Sequence, residues 1–405
     1  MPPSRKRLII AALLLAAAGA GGFAYFKYRK ISDYVLEQVS GQAAKKLGRE
    51  VKFKSAAFSP LKGIVIREAC VSRLPDFSRG NFFCASKVVI RPKLGALLRN
   101  QVYFSSVSFE RPVIKVRERG GRWDFADLLA LLPDTDKGLY LTWNANTVQL
   151  RGAAVEADME TSGLSLTLED LDLSLEHFSS YGGHYGLEGK GRLKTVHSGK
   201  LVSAEVEFSN DANFEYSGLS SASGKFRAEA LSYGAATLES FEARWNLFNM
   251  LKPLAEKNYD LSVRAEGLLI PAQEGSARAR VAEGLQLFSR AMGRPVPEVD
   301  DVKLNSLKAA FALDNSVIAL KGVELRSDFI SLDAALTIFG PPRKADAELK
   351  AEIGCSKFSL SATGPMDKPR IKPLLAATLD AKFRTALADI ENYFLKIFPV
   401  TGATP

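Results

Sequence analysis

The chain is poor in the residues that build most chemical sites. Its 405 residues include three histidines, three cysteines and three tryptophans. His177, His184 and His197 lie in or near Gly/Ser-rich turns, with no thiol or carboxylate at a metal-ligand spacing. That excludes a zinc pattern and leaves exposed turn histidines as the expectation. Three cysteines cannot make a disulfide framework. No glycine-rich loop stands before a helical stretch, because Gly182-Gly183 and Gly189-Lys190-Gly191 read as strand turns. No G-x-S-x-G elbow occurs. The carboxylates are scattered on the polar parity of strands, where a solvated face explains them. We therefore expect no catalytic residue, no metal and no cofactor.

Charge of one sign is also scarce over most of the chain. The net charge is +9, but residues 1–60 hold eleven lysines and arginines against Asp33, Glu37 and Glu50. The remainder is near neutral. No basic groove interleaved with aromatics appears elsewhere, which argues against nucleic acid. A basic cluster beside an apolar run points instead to anionic headgroups, with Lys45, Lys46, Arg49, Lys52 and Lys54 expected to face them.

That run is Leu8 to Phe26, which carries no charge. As a helix it spans roughly 28 Å, close to the hydrocarbon thickness of a bilayer. Ala18-Gly19-Ala20 offers a cleavage site, while Phe23, Tyr25, Phe26 and Tyr28 read as an interfacial belt that favours a retained anchor. Basic residues flank both sides equally, so charge does not settle orientation. Ile31, Val35, Val39, Ala43 and Leu47 then recur every four residues, predicting a helix that Gly48 ends.

From Val51 onward the dominant period is two. Leu164, Leu166 and Leu168 are even-numbered, whereas Leu171, Leu173 and Leu175 are odd-numbered. A slip of one residue inverts a strand, so a bulge or a strand break near Glu169-Asp170 is required to keep all six on one side. Similar alternation marks Gly63–Val71, Lys200–Phe208, Thr237–Trp245, Asp260–Gly267, Val302–Leu313 and Phe329–Phe339. Turn residues such as Asp314-Asn315 punctuate the gaps. The pattern predicts one antiparallel meander of perhaps eighteen strands, roughly 85 Å long. Helices are expected at 248–256, 273–292 and 379–398, the last placing Phe383, Leu387, Ile390 and Phe394 on one side. Cys70 and Cys84 fall on strands that would pair as a hairpin. They are either a disulfide, which needs an oxidising compartment, or two buried thiols. Cys355 would stay free.

The stretch Gln101–Leu132 has a specific order of devices. Alternating residues lead to Arg111-Pro112, which restarts the chain as the β-branched run Val113–Val116. Gly120-Gly121 supplies a tight reversal. After Arg122 and Trp123, Asp124 stands where a helix N-cap belongs, with Asp127 three residues on as a capping-box partner. Phe125, Leu128, Leu129 and Leu132 follow on one helical face. Trp123 reads as a core anchor whose indole finds one hydrogen bond.

Strand, Arg111-Pro112, strand, Gly121-Arg122-Trp123-Asp124 and the Leu128-Leu129 helix together resemble the N-terminal signature of the AsmA-like family of bacterial envelope proteins. The upstream run from Leu47 to Phe77 looks like that family's opening. The phrase SATGPMDKPRIKP (residues 361–373) resembles the ending of AsmA-like and TamB-like chains. The resemblance implies export of the large domain. It also implies a design similar to bridge-type lipid transporters, with an inner-membrane anchor and a periplasmic β-groove for phospholipid.

Together these readings predict an all-β dominated chain with a few helices, organised as an anchor, a long curled antiparallel groove and short capping helices. The segments are 1–30 (anchor), 31–135 (AsmA-like region capping the sheet), 136–378 (groove body) and 379–405 (amphipathic helix and tail). Ile64, Ile66, Val88, Ile90, Leu164, Leu166, Leu168, Leu171, Leu173, Leu175, Leu332, Leu336 and Ile338 are expected to line the groove. The expected partners are phospholipid, the inner membrane and an outer-membrane or envelope protein. Alternatives are a closed β-sandwich, released if Ala20 is a cleavage point, and an assembly factor that assists outer-membrane proteins through its sheet edges.

Overall fold

The computed structural model describes residues 47–59, 63–93, 104–129, 145–177, 183–197, 199–215, 218–272, 301–328, 330–339, 344–354, 356–365 and 368–373, with single residues at 279, 283, 286, 381, 384 and 385. The expected anchor, the helix over 31–46, Lys45, Lys46 and Cys355 lie outside the described residues, as do the two later helices apart from residues 279, 283, 286, 381, 384 and 385, which are helical. Among the described residues no helix is long and apolar enough to cross a membrane. Leu47 is helical and Gly48 follows at φ +63°, where the expected helix stops. The described part is all-β, with twenty strands in two compact units that divide between Thr161 and Ser162.

The first unit contains β1 (Val51–Lys52), β2 (Ser55–Ser59), β3 (Gly63–Ser72), β4 (Asn81–Pro92), β5 (Phe104–Glu110), β6 (Val113–Arg119), β7 (Arg122–Trp123), α1 (Ala126–Leu129) and β8 (Ala145–Met159). Strands β1 and β2 both pair with β3, and β3 pairs with β4. Strand β4 pairs with β5 and, at its first residues, with β6. Strand β8 then runs parallel to both β5 and β6. This corrects the expectation of a purely antiparallel meander, and β8, in the segment expected to form the groove body, belongs to the first compact unit. Period-two alternation reports which face a residue takes, not which strand lies beside it.

One crease crosses this unit. Glu68 and Arg111 sit at φ +52° and +46°, and Gly152 at +57°. The registers set Glu68 beside Ser86, Ser86 beside Arg111, and Arg111 beside Gly152. The gap between β1 and β2 falls on the same row. At the crease Arg111 N donates to Arg151 O at 2.7 Å, Ala154 N donates to Pro112 O at 2.8 Å, and Pro112 is fully buried. A left-handed residue resets the alternation. Ala69 and Ala85 therefore join the cluster of Ile64, Ile66 and Val88 despite a three-residue step. Cys70, whose parity predicted the Ile64 side, is turned away from it. Cys70 and Cys84 oppose each other directly, 4.1 Å apart at Cα, and are joined as a disulfide.

The second unit is a meander in which every strand pairs with its sequence neighbours. Its strands are β9 (Leu164–His177), β10 (Gly183–His197), β11 (Lys200–Glu215), β12 (Gly218–Tyr233), β13 (Ala236–Phe248) and β14 (Asn258–Ile270), followed by β15 (Val302–Asp314), β16 (Val317–Arg326), β17 (Ile330–Phe339), β18 (Lys344–Ile353), β19 (Ser356–Pro365) and β20 (Arg370–Lys372). All eleven pairings are antiparallel. Measured along the sheet, twelve strands extend roughly 53 Å, shorter than the 85 Å expected of a single meander.

The predicted bulge is present: Asp170 sits at φ +50°, and Asp170-Leu171 together oppose Gly191. Ala230 (φ +50°), Gly267 (φ +66°) and Gly322 (φ +57°) serve the same purpose on β12, β14 and β16. Ala230 and Gly267 are in one row, joined through Glu239, whose side chain lies where a Cβ on Gly267 would go. Phe248–Glu256, expected to be helical, is instead the end of β13, a turn and a single 3₁₀ turn at Leu254–Glu256. Pro253 enters that turn, and Asn249 at φ +58° breaks the helical backbone before it.

Closing a loop of fourteen residues with a disulfide stabilises by about 3 kcal/mol. Cys70→Ser with Cys84→Ser should therefore lower the unfolding midpoint of the first unit. Dithiothreitol should reproduce the loss in the native chain and leave the double variant unchanged, as read from paired thermal melts.

Candidate functional site

The second unit segregates its side chains completely enough to define a site. Directly opposed residues share a face, and apolar meets apolar from β9 to β20. Leu175 opposes Leu187, Leu168 opposes Leu193 and Phe208 opposes Phe226. Phe241 opposes Ala265, Leu261 opposes Phe311 and Leu313 opposes Ile318. Leu320 opposes Leu336, Leu349 opposes Leu360 and Ala362 opposes Ile371. Three-residue steps such as Leu238 to Phe241 and Leu304 to Leu307 fall at the left-handed row, so the apolar set stays on its side.

Two strand glycines make room for aromatic rings on this face. Phe208 lies over Gly189, and a Cβ there would stand 2.4 Å from its ring. Trp245 lies over Gly224 and reaches Asn210, donating Nε1–H to Oδ1 at 2.9 Å. The one amide on this stretch of the face is thereby satisfied. At one end His177 stacks on Tyr185 with ring centroids 4.8 Å apart. Burial lowers the His177 pKa, which keeps it neutral near pH 7. The expectation of an exposed turn histidine fails there, because His177 closes β9 on its apolar parity. His184 matches it better, bonding Asn213 Oδ1 at 2.9 Å on the polar face. The side chain of His197 lies outside the described residues.

The opposite face is a lattice of exposed ion pairs, including Lys194–Glu169 at 2.7 Å, Lys225–Glu207 at 2.8 Å, Lys308–Glu324 at 3.3 Å and Arg192–Asp170. Each stabilises little by itself. Their effect is to hold charge on one side and leave the other largely to carbon.

The thirteen expected lining residues divide between the units. Leu164, Leu166, Leu168, Leu173, Leu175 and Leu332 are half-buried on the apolar face, and Leu171 is buried there. Leu336 and Ile338 are buried in a cluster with Ala345, Ala347, Leu360, Ala362 and Ile371. Leu261, which had not been singled out, is 37% exposed on that face. Ile64, Ile66 and Val88 belong to the first unit's own core, with Ile90, Phe83, Val107 and Phe109 packed against them. Those four are core residues of the first unit rather than part of the second unit's apolar face.

The residues from Arg111 to Leu129 that carried the resemblance are structural or basic, and two expectations about them change. Gly121 is in the tight turn at φ +76°, and Leu128 and Leu129 lie in α1. Asp124 does not pair with Asp127 as a capping box. Its Oδ1 accepts from Arg117 N at 3.0 Å, its own N–H donates to Arg117 O at 2.8 Å, and Asp127 is taken by Arg49. Trp123 is half-buried and tilted on Phe125 at 5.4 Å, with no hydrogen bond from its indole among the described residues.

Arg49, expected to face headgroups, is 2% exposed. Its Nε and Nη2 donate to the two Asp127 carboxylate oxygens at 2.9 and 2.6 Å, Nη2 also reaches Asp124 O, and Nη1 reaches Ser72 O at 3.3 Å. Its guanidinium stacks over Phe82 at 4.5 Å. The bidentate fork fits a carboxylate better than water does. Lys52 and Lys54 do remain exposed, beside Glu50 at 3.9 Å and Glu68 at 2.7 Å. Glu118 is a second buried tie, accepting from Gly121 N and from both Thr161 N and Thr161 Oγ1. Those bonds, led by the Thr161 hydroxyl, hold its carboxyl below the ordinary range.

Among the described residues no cluster of three His, Cys, Asp or Glu residues could hold a metal ion. No family model matches the chain, and neither a curated protein nor a solved structure matches it.

Arg49→Ala strands the Asp127 carboxylate and two carbonyls, and should destabilise the first unit by about 3 kcal/mol in urea unfolding. Arg49→Lys should recover less than half of that, because an ammonium lacks the fork. The depressed Glu118 carboxyl contributes stability above its unfolded value. That contribution is lost as pH falls through the lower folded value. Glu118→Gln should therefore lower the melting temperature near neutral pH and flatten its acid dependence, checked by melts from about pH 7 to about pH 3.

Proposed function

We propose that the chain is a lipid-binding protein whose apolar sheet face carries phospholipid acyl chains. The observation that carries this reading is the continuity of the apolar register from β9 to β20, with the ion pairs on the other face and Lys200, at a strand end over Tyr233, as a charge on this one. Apolar sheet surface on this scale marks a binding surface. An acyl chain suits it because it needs no hydrogen-bond partner. The half-buried state of Leu166, Leu168, Leu173 and Leu175 supports contact with a ligand along β9.

The same reading places the large domain in the periplasm, anchored to the inner membrane by Leu8–Phe26, and takes the chain as a member of the AsmA-like family. Three observations support it. The Cys70–Cys84 disulfide belongs to an oxidising compartment. The Arg111-Pro112 pair and the Gly120-Gly121 turn have defined structural work in the crease and hairpin. The uncharged run is long enough to span a bilayer. Lipid would move toward the outer membrane along the sheet, with no covalent chemistry performed by the protein.

Native mass spectrometry of the full chain, purified gently from cells, tests this. Phospholipid should co-purify with the native chain and be lost from Leu166→Asp with Leu173→Asp. Ser165→Asp with Ser174→Asp, on the other parity of the same strand, should retain it. Lipid retained by both variants, or absent from the native chain, would remove the acyl-chain reading.

A further inference from the structure

Five arginines converge on a pocket of about 350 Å³ within the first unit. Arg73 and Arg79 come from the segment after β3, Arg117 and Arg119 from alternate positions on β6, and Arg122 from β7. Two backbone devices bring them together. The Gly120-Gly121 hairpin sets Arg119 beside Arg122 and Glu118 beside Trp123. The 3₁₀ turn at Phe77–Arg79 folds its segment back, with Arg73 N donating to Gly80 O at 2.9 Å.

The lining also holds two carboxylates, of which Asp124 keeps one buried oxygen, Oδ2, without a hydrogen bond. Asp127 is taken by Arg49, and Asp124 Oδ1 by Arg117 N. Arg119 has Glu160 at 3.8 Å, an exposed pair. No described carboxylate forms an ion pair with Arg79, Arg117 or Arg122. Arg73 is 9% exposed. Its Nη2 donates to Lys115 O at 3.2 Å, but its Nε has no hydrogen-bond partner although Asp124 Oδ2 stands 3.5 Å away. Burial, and then the neighbouring Arg117, push the Arg73 pKa down. The lining therefore sets five arginines against two carboxylates, and the buried Arg73 Nε faces Asp124 Oδ2 as an ion pair that neither atom completes as a hydrogen bond.

We propose that this pocket binds a phosphate group. Guanidinium forks match pairs of phosphate oxygens, and several arginines around one anion exceed what a single carboxylate would neutralise. Leu74, 42% exposed, and Trp123 form an apolar part of the same lining. A tryptophan beside basic groups suits a boundary between a polar head and an apolar body. The phosphate belongs either to a lipid headgroup or to a small soluble ester. The inference stands apart from the acyl-chain reading, because the two sites are in different units.

Calorimetric titration of the full chain in nonionic micelles tests it, using inorganic phosphate in one arm. The second arm uses micelles doped with phosphatidic acid, with diacylglycerol as the phosphate-free control. At least one phosphate probe should bind, and Arg117→Gln with Arg122→Gln should weaken it about tenfold or more. Both side chains are exposed, and an unchanged circular dichroism spectrum would show that the variant folds. Heat with inorganic phosphate supports a soluble source. Heat with phosphatidic acid alone supports a headgroup. Binding of neither probe, or equal binding by native and variant chains, would overturn the proposal.

Discussion

A strand can keep its apolar residues on one face only while its backbone alternates, and curling a long sheet interrupts that alternation. This constraint governs both units. Where the chain crosses the crease, a left-handed residue on one strand is matched by a compensating step on the next. Glu68, Arg111 and Gly152 do this in the first unit, and Ala230 and Gly267 in the second. Without that matching, every side chain beyond the crease would exchange faces. Leu238 and Phe241 would then no longer share a side.

The two units use the resulting faces differently. In the first, apolar residues close on themselves around Ile64, Ile66 and Val88, and buried charge ties the chain's entry to its turn through Arg49, Asp127 and Ser72. In the second, the buried residues are largely small, with alanines recurring at 204, 228, 345, 347 and 362. Leu171, Leu313, Leu336, Leu360 and Tyr259 are buried with them, while other leucines and rings remain half-buried.

Much of the second unit was legible in sequence because its information is local. The even-to-odd change in the leucines of β9 required a bulge or a break near Glu169-Asp170, and a bulge at Asp170 is there. Asp314-Asn315 marked a turn, and the left-handed Asn315 and Ser316 make it. What alternation cannot encode is the partner. Nothing in Ala145–Met159 announces that it lies parallel to two earlier strands, because the connection contributes only proximity. Arg49 looked like its basic neighbours, since burial of one member of a charge run depends on a carboxylate 78 residues away. The arginine pocket was missed for a related reason. Read singly, Arg117 and Arg119 are the solvent parity of a short strand, and only the hairpin and the Phe77–Arg79 turn give them company. Alternate arginines flanking a Gly-Gly turn, followed at once by Arg-Trp, were the available signal.

Every strand in the second unit finds its partner in the strand just made. Its contacts therefore have low sequence separation for an all-β structure, and loop-closure entropy is spent in small instalments. Each hairpin can form as soon as its second arm exists, without waiting for the far end of the chain. The growing edge is a template at every stage, shielded only when the next strand arrives. Such a sheet assembles by growth from one side rather than by collapse around a centre, and its vulnerable surface during folding is always one strand wide.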